Sequence, residues 1–205
     1  MTGRALDDDA LRRALIPVDA PEPVRPRVRR RAAIAVVLRR GPEGDEIALM
    51  RRTERPGDPW SGDVCLPGGF VDADDASVLV AAVRETREEL ALDLGGAEPL
   101  GRLPTRPGPP WDRWTNFAVT PLVFRFSGDP TLTPEAGEVV SARWIPVARL
   151  RDPDAHEHFW WTFRPWRRVP LPLPFRMRRV VVDDYDVWGL TFDALETLWA
   201  ALDRS

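Results

Sequence analysis

Three glutamates, Glu85, Glu88 and Glu89, crowd the run Arg84-Glu85-Thr86-Arg87-Glu88-Glu89. In a helix, which advances about 100° per residue, the three fall on one face within an arc of roughly 100°. Carboxylates that close repel one another, so the face is costly unless a cation neutralises it. Hard divalent ions such as Mg2+ prefer oxygen ligands of this kind. A solvated acidic face is the competing explanation. Leu79, Val83, Thr86 and Leu90 take a neighbouring face, so the helix is expected to bury one side and offer acid on the other. Upstream, Pro67-Gly68-Gly69 marks a tight turn whose glycines permit close backbone approach.

The stretch from Leu66 to Leu92 resembles the Nudix box. That pattern is Gly, five residues, Glu, seven residues, then Arg-Glu-U-x-Glu-Glu-x-Gly-U, where U is bulky and apolar. Gly69, Arg84, Glu85, Glu88, Glu89 and Leu92 match. Three departures stand out. The spacer from Gly69 to Arg84 is one residue longer. The mid-box Glu has no counterpart, since Ala76 stands there with Asp75 beside it. The late Gly is Ala91, and the U after Arg-Glu is Thr86.

The resemblance implies an α/β fold, a Nudix-type α/β/α sandwich with a mixed central β-sheet and the box as a loop–helix–loop. It implies hydrolysis of a nucleoside diphosphate linked to another group, with Mg2+ or Mn2+ as cofactor. Glu85, Glu88 and Glu89 are the candidate ligands, joined by the Gly69 carbonyl. Glu88, Glu89 or Glu138 is the candidate base. Arg84 would fix a glutamate through a bidentate pair. Glu138 precedes a short strand and a Trp-Ile-Pro, similar to a region of Nudix hydrolases that adds an acid; a surface strand residue is the alternative.

Two segments are similar to the coenzyme A diphosphatase branch. One is the loop from Arg51-Arg52 through Asp58-Pro59-Trp60-Ser61-Gly62 to Pro67-Gly68-Gly69. The other is Trp188-Gly189-Leu190-Thr191. That branch implies cleavage of coenzyme A to 3′,5′-ADP and 4′-phosphopantetheine, with Arg51, Arg52, Trp60, Ser61 and Gly68 as substrate-binding residues. Other Nudix substrates (ADP-ribose, a dinucleotide cofactor, an oxidised nucleotide) and a non-catalytic nucleotide sensor remain as alternatives.

Composition narrows the field further. The chain has 205 residues, 43 % of them hydrophobic and 30 % charged, and a net charge of −3. No general pull toward nucleic acid or anionic membrane is expected. The partner expected is a small-molecule nucleotide, and a homodimer is one assembly to consider. Every basic residue other than the two His is Arg, which excludes lysine Schiff-base chemistry. Cys65 is the single cysteine, so an intramolecular disulfide and a Cys-based zinc site are excluded; it reads as a small buried residue. No apolar run approaches a membrane span and no signal-peptide core opens the chain, so a cytoplasmic location is expected.

These residues need elements to place them. Residues 1–28 read as an N-terminal helix, Ala5 to Leu15, and a Pro-rich linker; residues 29–205 read as the main domain. The arginines from Arg25 to Arg31 read as a solvated strand flank, or as a phosphate-binding patch. Ala32–Leu38 reads as a buried central strand, 41–46 as a turn, and Ile47–Arg51 as its partner strand. Further strands are expected at Ala97–Leu103, Thr115–Phe126, Glu138–Ile145 and 178–188, and a short helix at Pro146–Leu150. Trp60, Trp111, Trp114, Trp160 and Trp161 are assigned to loops or their edges, where one or two could stack on a base. His156 and His158 are expected to flank a turn. The closing helix is expected to bury Leu190, Leu195, Leu198 and Leu202, with Thr191 as its cap.

Overall fold

The computed structural model describes residues 5–21, 28–58, 60–108, 116–163 and 173–204. Arg25, Pro59, Trp111 and Trp114 lie outside them.

The apolar run expected as a central strand is the middle of β1 (Arg30–Gly41). Its side chains alternate between two cores, as a strand with both faces covered requires. Ala33, Ala35 and Val37 enter one core, and Val36 and Leu38 the other. β2 (Gly44–Arg52) returns antiparallel to β1. The turn between them is shorter than expected, because Asp45 and Glu46 already belong to β2. They are 2 % and 8 % exposed. Asp45 is tolerated there because it accepts hydrogen bonds from Arg125 Nη1 at 2.7 Å and from the Leu6 amide at 2.6 Å.

β3 (Val64–Cys65) and β4 (Gly68–Phe70) follow, then α2 (Val78–Leu90). β5 (Glu98–Arg102), β6 (Arg106–Pro107), β7 (Phe117–Phe126) and β8 (Val139–Pro146) complete an eight-stranded sheet. β1 and β7 pair in parallel and the other pairs are antiparallel, so the sheet is mixed, as expected. α2 covers one face through Val78, Ala81, Ala82 and Leu90. α1 (Asp8–Ala14), α3 (Val147–Leu150) and α4 (Gly189–Leu202) supply the opposite core. This is the expected α/β/α sandwich. Leu11 of α1 is fully buried in that core, so the N-terminal helix is part of the packed body.

β9 (His156–Phe163), β10 (Leu173–Val182) and β11 (Tyr185–Trp188) form a separate three-stranded antiparallel sheet. Several expectations fail here. The strand expected at 178–188 is two strands, because Val182 pairs with Tyr185 across a turn at Asp183 and Asp184. Asp183 takes a left-handed φ of +55°, which aspartate tolerates. Trp160 and Trp161 lie inside β9, and so do His156 and His158. Thr191 does not cap α4: the helix starts two residues earlier at Gly189, and Thr191 is 6 % exposed inside its first turn. Leu195 and Leu198 are buried as expected, while Leu190 and Leu202 are half-buried. Among the described residues no helix is long and apolar enough to cross a membrane.

Candidate active site

α2 begins where Ser77 accepts a hydrogen bond from the Val80 amide at 3.2 Å. It ends at Ala91, in left-handed conformation at φ +51°, with its amide donating to the Arg87 carbonyl. That is the position where the box pattern carries glycine, and the backbone explains the preference. The buried side of α2 is rotated from the expected one. Leu79 and Val83 are only half-buried, while Val78, Ala81, Ala82, Thr86, Glu89 and Leu90 are buried.

Glu89 is 3 % exposed. A solvated acidic face therefore does not describe it. Its Oε2 accepts the Gly68 amide at 2.8 Å. Burial pushes its carboxyl up to about 8; the Gly68 N–H and Arg52 oppose this, and neighbouring Glu85 and Glu138 reinforce it. Glu85 is raised as well, first by burial, against the pull of Arg84. The turn before α2 is packed against these acids. A side chain at Gly69 would meet the Glu85 carboxyl carbon at 2.5 Å, and one at Gly68, where φ is +145°, would meet Ile34 Cα at 2.6 Å. Gly68 requires glycine, whereas a side chain at Gly69 would displace the Glu85 carboxylate.

Arg84 ties the site together. It donates to Asp75 through Nε at 3.2 Å and Nη2 at 2.8 Å. It also reaches Glu85 at 3.0 Å, Glu88 at 2.9 Å and the Phe70 carbonyl at 3.1 Å. Asp75 is the residue that sequence reasoning missed. Counted forward from Gly69 it holds the mid-box position itself, after five residues, while counted back from Arg84 it stands one place before it; its carboxylate accepts the Asp72 amide as well as Arg84. Those bonds hold it below the usual carboxylate range, the Arg84 pair being the main cause.

Glu138 comes to the cluster from another direction. The amides of Thr133 and Glu135 donate to the Leu90 and Glu89 carbonyls, so this segment is laced to the end of α2. The Glu138 carbonyl accepts the Thr53 amide at 2.8 Å, and its carboxylate lies 3.4 Å from Arg55 Nη2. The helix and the end of β2 thus bring Glu85 and Glu138 each within electrostatic reach of Glu89. Glu88 is half-exposed and turned toward Arg84. Among the described residues no three acid, His or Cys groups already converge as a metal cage. His156 is engaged elsewhere, its Nε2 3.0 Å from the Leu150 carbonyl.

A divalent ion fits this donor set on charge. Glu89 is a buried carboxylate near other carboxylates, and an added cation would offset both its burial and the repulsion from Glu85 and Glu138. Glu85, Glu88, Glu89 and the Gly69 carbonyl would be the hard oxygen donors offered to it by the turn and helix.

The residues expected to touch substrate have mixed surroundings. Arg51 is paired with Asp184, whose carbonyl it also contacts. Arg52 donates to Asp58 at 2.9 Å, and burial, which works against its charge, is outweighed by Asp58, Cys65 and Glu89. Asp58 also accepts the Trp60 amide at 2.9 Å, and Ser61 Oγ accepts the Arg55 amide at 2.7 Å. Ser61 thus holds the loop's own backbone. Trp60 is half-buried, its ring 5.9 Å from that of Phe117 in an edge-to-face contact. Burial lifts the Asp63 carboxyl to about 6, with Trp188 opposing the rise, and β11 packs against β3, so the two segments similar to the coenzyme A branch come together here. Cys65 is half-buried rather than buried, because β3 lies at the edge of the core, and desolvation raises its thiol above the usual range, which disfavours the thiolate.

Comparison with known proteins agrees with this fold. A family described as the NUDIX domain matches residues 28–166. A protein of Citrobacter koseri, named as an uncharacterized Nudix hydrolase NudL, is 40 % identical over 176 residues, covering 83 % of this chain and 81 % of its own length. A second NudL, from Cronobacter sakazakii, is 34 % identical, covering 82 % of this chain and 81 % of its own. The crystal structure of a MutT/nudix family protein from Enterococcus faecalis superposes with a TM-score of 0.54 at 19 % identity, covering 91 % of this chain and 64 % of that one, a likeness of fold.

Proposed function

This chain belongs to the Nudix family, and from that premise we propose that it hydrolyses the diphosphate bond of coenzyme A or its derivatives. The family places it among hydrolases of nucleoside diphosphate derivatives that use divalent cations. Coenzyme A is the finer reading. The observation that carries it is the approach of Trp188 to Asp63, where β11 packs against β3. It joins the pre-box loop to Trp188-Gly189-Leu190-Thr191, the two segments similar to the coenzyme A branch, across more than half the chain.

In this reading Glu85, Glu88, Glu89 and the Gly69 carbonyl hold Mg2+ or Mn2+. The ion, when bound, neutralises diphosphate charge and acidifies the attacking water. Glu88, freed from Arg84, or Glu138 accepts the proton of that water. Arg84 keeps Glu85 oriented, and Asp75 keeps Arg84 in place. Gly68 and the Trp60–Ser61 loop border the substrate. Arg51 and Arg52 are the proposed fork for the 3′-phosphate, which each would bind by exchanging its present aspartate partner. We place the enzyme in the cytoplasm, as a monomer or homodimer acting on free nucleotides rather than nucleic acid.

Mass spectrometry of products tests the reading. The diphosphate is the only phosphoanhydride in coenzyme A, so the expected products are 3′,5′-ADP and 4′-phosphopantetheine. Release of inorganic phosphate would contradict that cut. Brisk turnover of ADP-ribose beside none of coenzyme A would retire the coenzyme A assignment and leave the family chemistry standing.

A further inference from the structure

The loop between β2 and β3 and the segment between β7 and β8 come together at one side chain, Arg55. Its Nη2 donates to the Gly137 carbonyl at 2.6 Å and lies 3.4 Å from Glu138 Oε1. The loop that carries Arg55 is braced from within. The Arg55 amide donates to Ser61 Oγ at 2.7 Å, and the Arg55 carbonyl accepts the Asp58 amide at 3.2 Å. Asp58 is in turn held by Arg52 and by the Trp60 amide. The guanidinium is therefore presented from a backbone with its own supports.

Stability does not account for this bridge. Both side chains are about half-exposed, and ion pairs of that kind contribute little. The facing segment also has other anchors. The Thr133 and Glu135 amides donate to the Leu90 and Glu89 carbonyls, the Val139 amide to the Glu135 carbonyl, and the Thr53 amide to the Glu138 carbonyl. What Arg55 adds is a fixed point at Gly137, immediately before Glu138. Its two contacts are unequal, and the inequality makes chemical sense. The short bond goes to a backbone carbonyl, which does not titrate. The long contact goes to the carboxylate, which is left with room to take a proton. Glu88, by contrast, is gripped by Arg84 at 2.9 Å. A general base must be held within hydrogen-bond reach of its proton donor and still be free to accept from it. Glu138 is the freer of the two acids, and Arg55 fixes the backbone that aims it.

We propose that Arg55 is a positioning residue that sets Glu138 as the base of the hydrolysis, acting through the Gly137 carbonyl. This rests on the reading of Glu138 as an acceptor for the proton of the attacking water, and not on coenzyme A as the substrate. It gives the pre-box loop a part in the chemical step.

A double-mutant cycle in Mg2+ tests it, on whichever of coenzyme A and ADP-ribose turns over faster. Glu138→Gln should lower kcat by about a hundredfold, the lower end of what a general base contributes. Arg55→Ala should lower kcat roughly tenfold with KM little changed, the scale of losing a group that orients another. In the Glu138→Gln background, Arg55→Ala should cost nothing further, because the acid it positions is already gone. Arg55→Lys, which keeps a donor for the Gly137 carbonyl, should recover part of the loss. Arg55→Met, which keeps only the apolar stem, should recover none. The same tenfold loss in the Glu138→Gln background would overturn the proposal, since Arg55 would then act on the substrate or the fold. Recovery by Arg55→Met would overturn it too, as would a fall in Tm that tracks the loss of activity. Full activity of Glu138→Gln would remove Glu138 as the base, and the proposal with it. A crippled Glu138→Gln beside an unimpaired Arg55→Ala would keep the base and withdraw only the role of Arg55.

Discussion

The Asp75 carboxylate grips Arg84 along one edge of its guanidinium, at 3.2 Å from Nε and 2.8 Å from Nη2, while the opposite nitrogen Nη1 reaches Glu85 and Glu88. One side of the cation is thus spent on a buried anchor and the other on the acids proposed to hold the metal. A planar five-donor group can do this, whereas an ammonium on a flexible stem cannot. Asp75→Ala should therefore lower kcat roughly 10- to 100-fold, the usual cost of losing a residue that orients a ligand. Arg84→Lys should restore little. Steady-state kinetics on the best substrate decides this, and an unimpaired Asp75→Ala enzyme would remove Asp75 from the machinery.

Glu89→Gln separates a structural carboxylate from a metal-binding one. The wild-type carboxylate is buried among Glu85 and Glu138 and carries an unfavourable charge without a cation. With EDTA at pH 8.5 or above, the neutral variant should melt no lower than wild type. Added Mg2+ should raise the wild-type Tm and leave the variant unmoved, because an ion that binds only the folded chain stabilises it. Turnover in the variant should fall by about a hundredfold or more, the scale seen when one charge-stabilising group is removed. An identical Mg2+ shift in both proteins would show that Glu89 holds no ion.

Ala91 offers a stability test away from the chemistry. Its φ of +51° places Cβ close to the following carbonyl, a conformation that costs an alanine about 1 kcal/mol. Ala91→Gly removes that strain but adds freedom to the unfolded chain. The net gain should lie between about 0 and 1 kcal/mol, read from urea unfolding, with KM unchanged.

Much of this was legible in the sequence because the signals are local. The apolar run of β1, the Pro-Gly-Gly turn and the acidic helix each follow from neighbouring residues. Glu138 could be placed only by resemblance, since what brings it in is the lacing of Thr133 and Glu135 onto the end of α2. The depth of Glu89 was hidden too: one backbone N–H at Gly68 makes its burial tolerable. Asp75 follows Gly69 after five residues, where the box carries Glu, but the extra spacer residue before Arg84 shifts the count back from the helix onto Ala76. The Asp183–Asp184 turn did carry a signal, two acids between alternating apolar runs. It was overridden by the β-branched residues on either side.

Asp63 gives a pH dependence of stability with a definite sign. Burial lifts its carboxyl to about 6 from the ordinary 3.8, against the pull of Trp188 and Arg52. Between those values the folded chain binds more protons than the unfolded one, so this group's contribution to stability falls as pH rises through the window. Asp63→Asn keeps an oxygen acceptor of the same shape beside Trp188 and removes the titration. The stability of wild type relative to the variant should decline between pH 4 and pH 6.5 and level off above. Parallel Tm curves across that range would show that Asp63 does not titrate with the fold.

Arg51 decides between two uses of one side chain. It contacts the Asp184 carbonyl and lies 3.2 Å from its carboxylate, and its guanidinium sits 5.5 Å from the Tyr185 ring. Arg143 approaches the same aspartate and the same ring. The pair therefore pins the β10–β11 turn to the end of β2, the strand that leads into the pre-box loop. If anchoring is its whole role, Arg51→Ala should lower Tm slightly, by less than about 1 kcal/mol of stability for a partly exposed pair. It should then change KM for coenzyme A and for dephospho-coenzyme A by the same factor. If Arg51 leaves Asp184 to bind the 3′-phosphate, KM should rise for coenzyme A alone, by roughly 10-fold for a lost charge-assisted bond. Arg52→Ala can be read the same way against Asp58→Ala, which breaks its present pair from the other side. A wild-type enzyme that cleaves both substrates with equal kcat/KM would withdraw the phosphate fork from both arginines and leave them as supports of the loop.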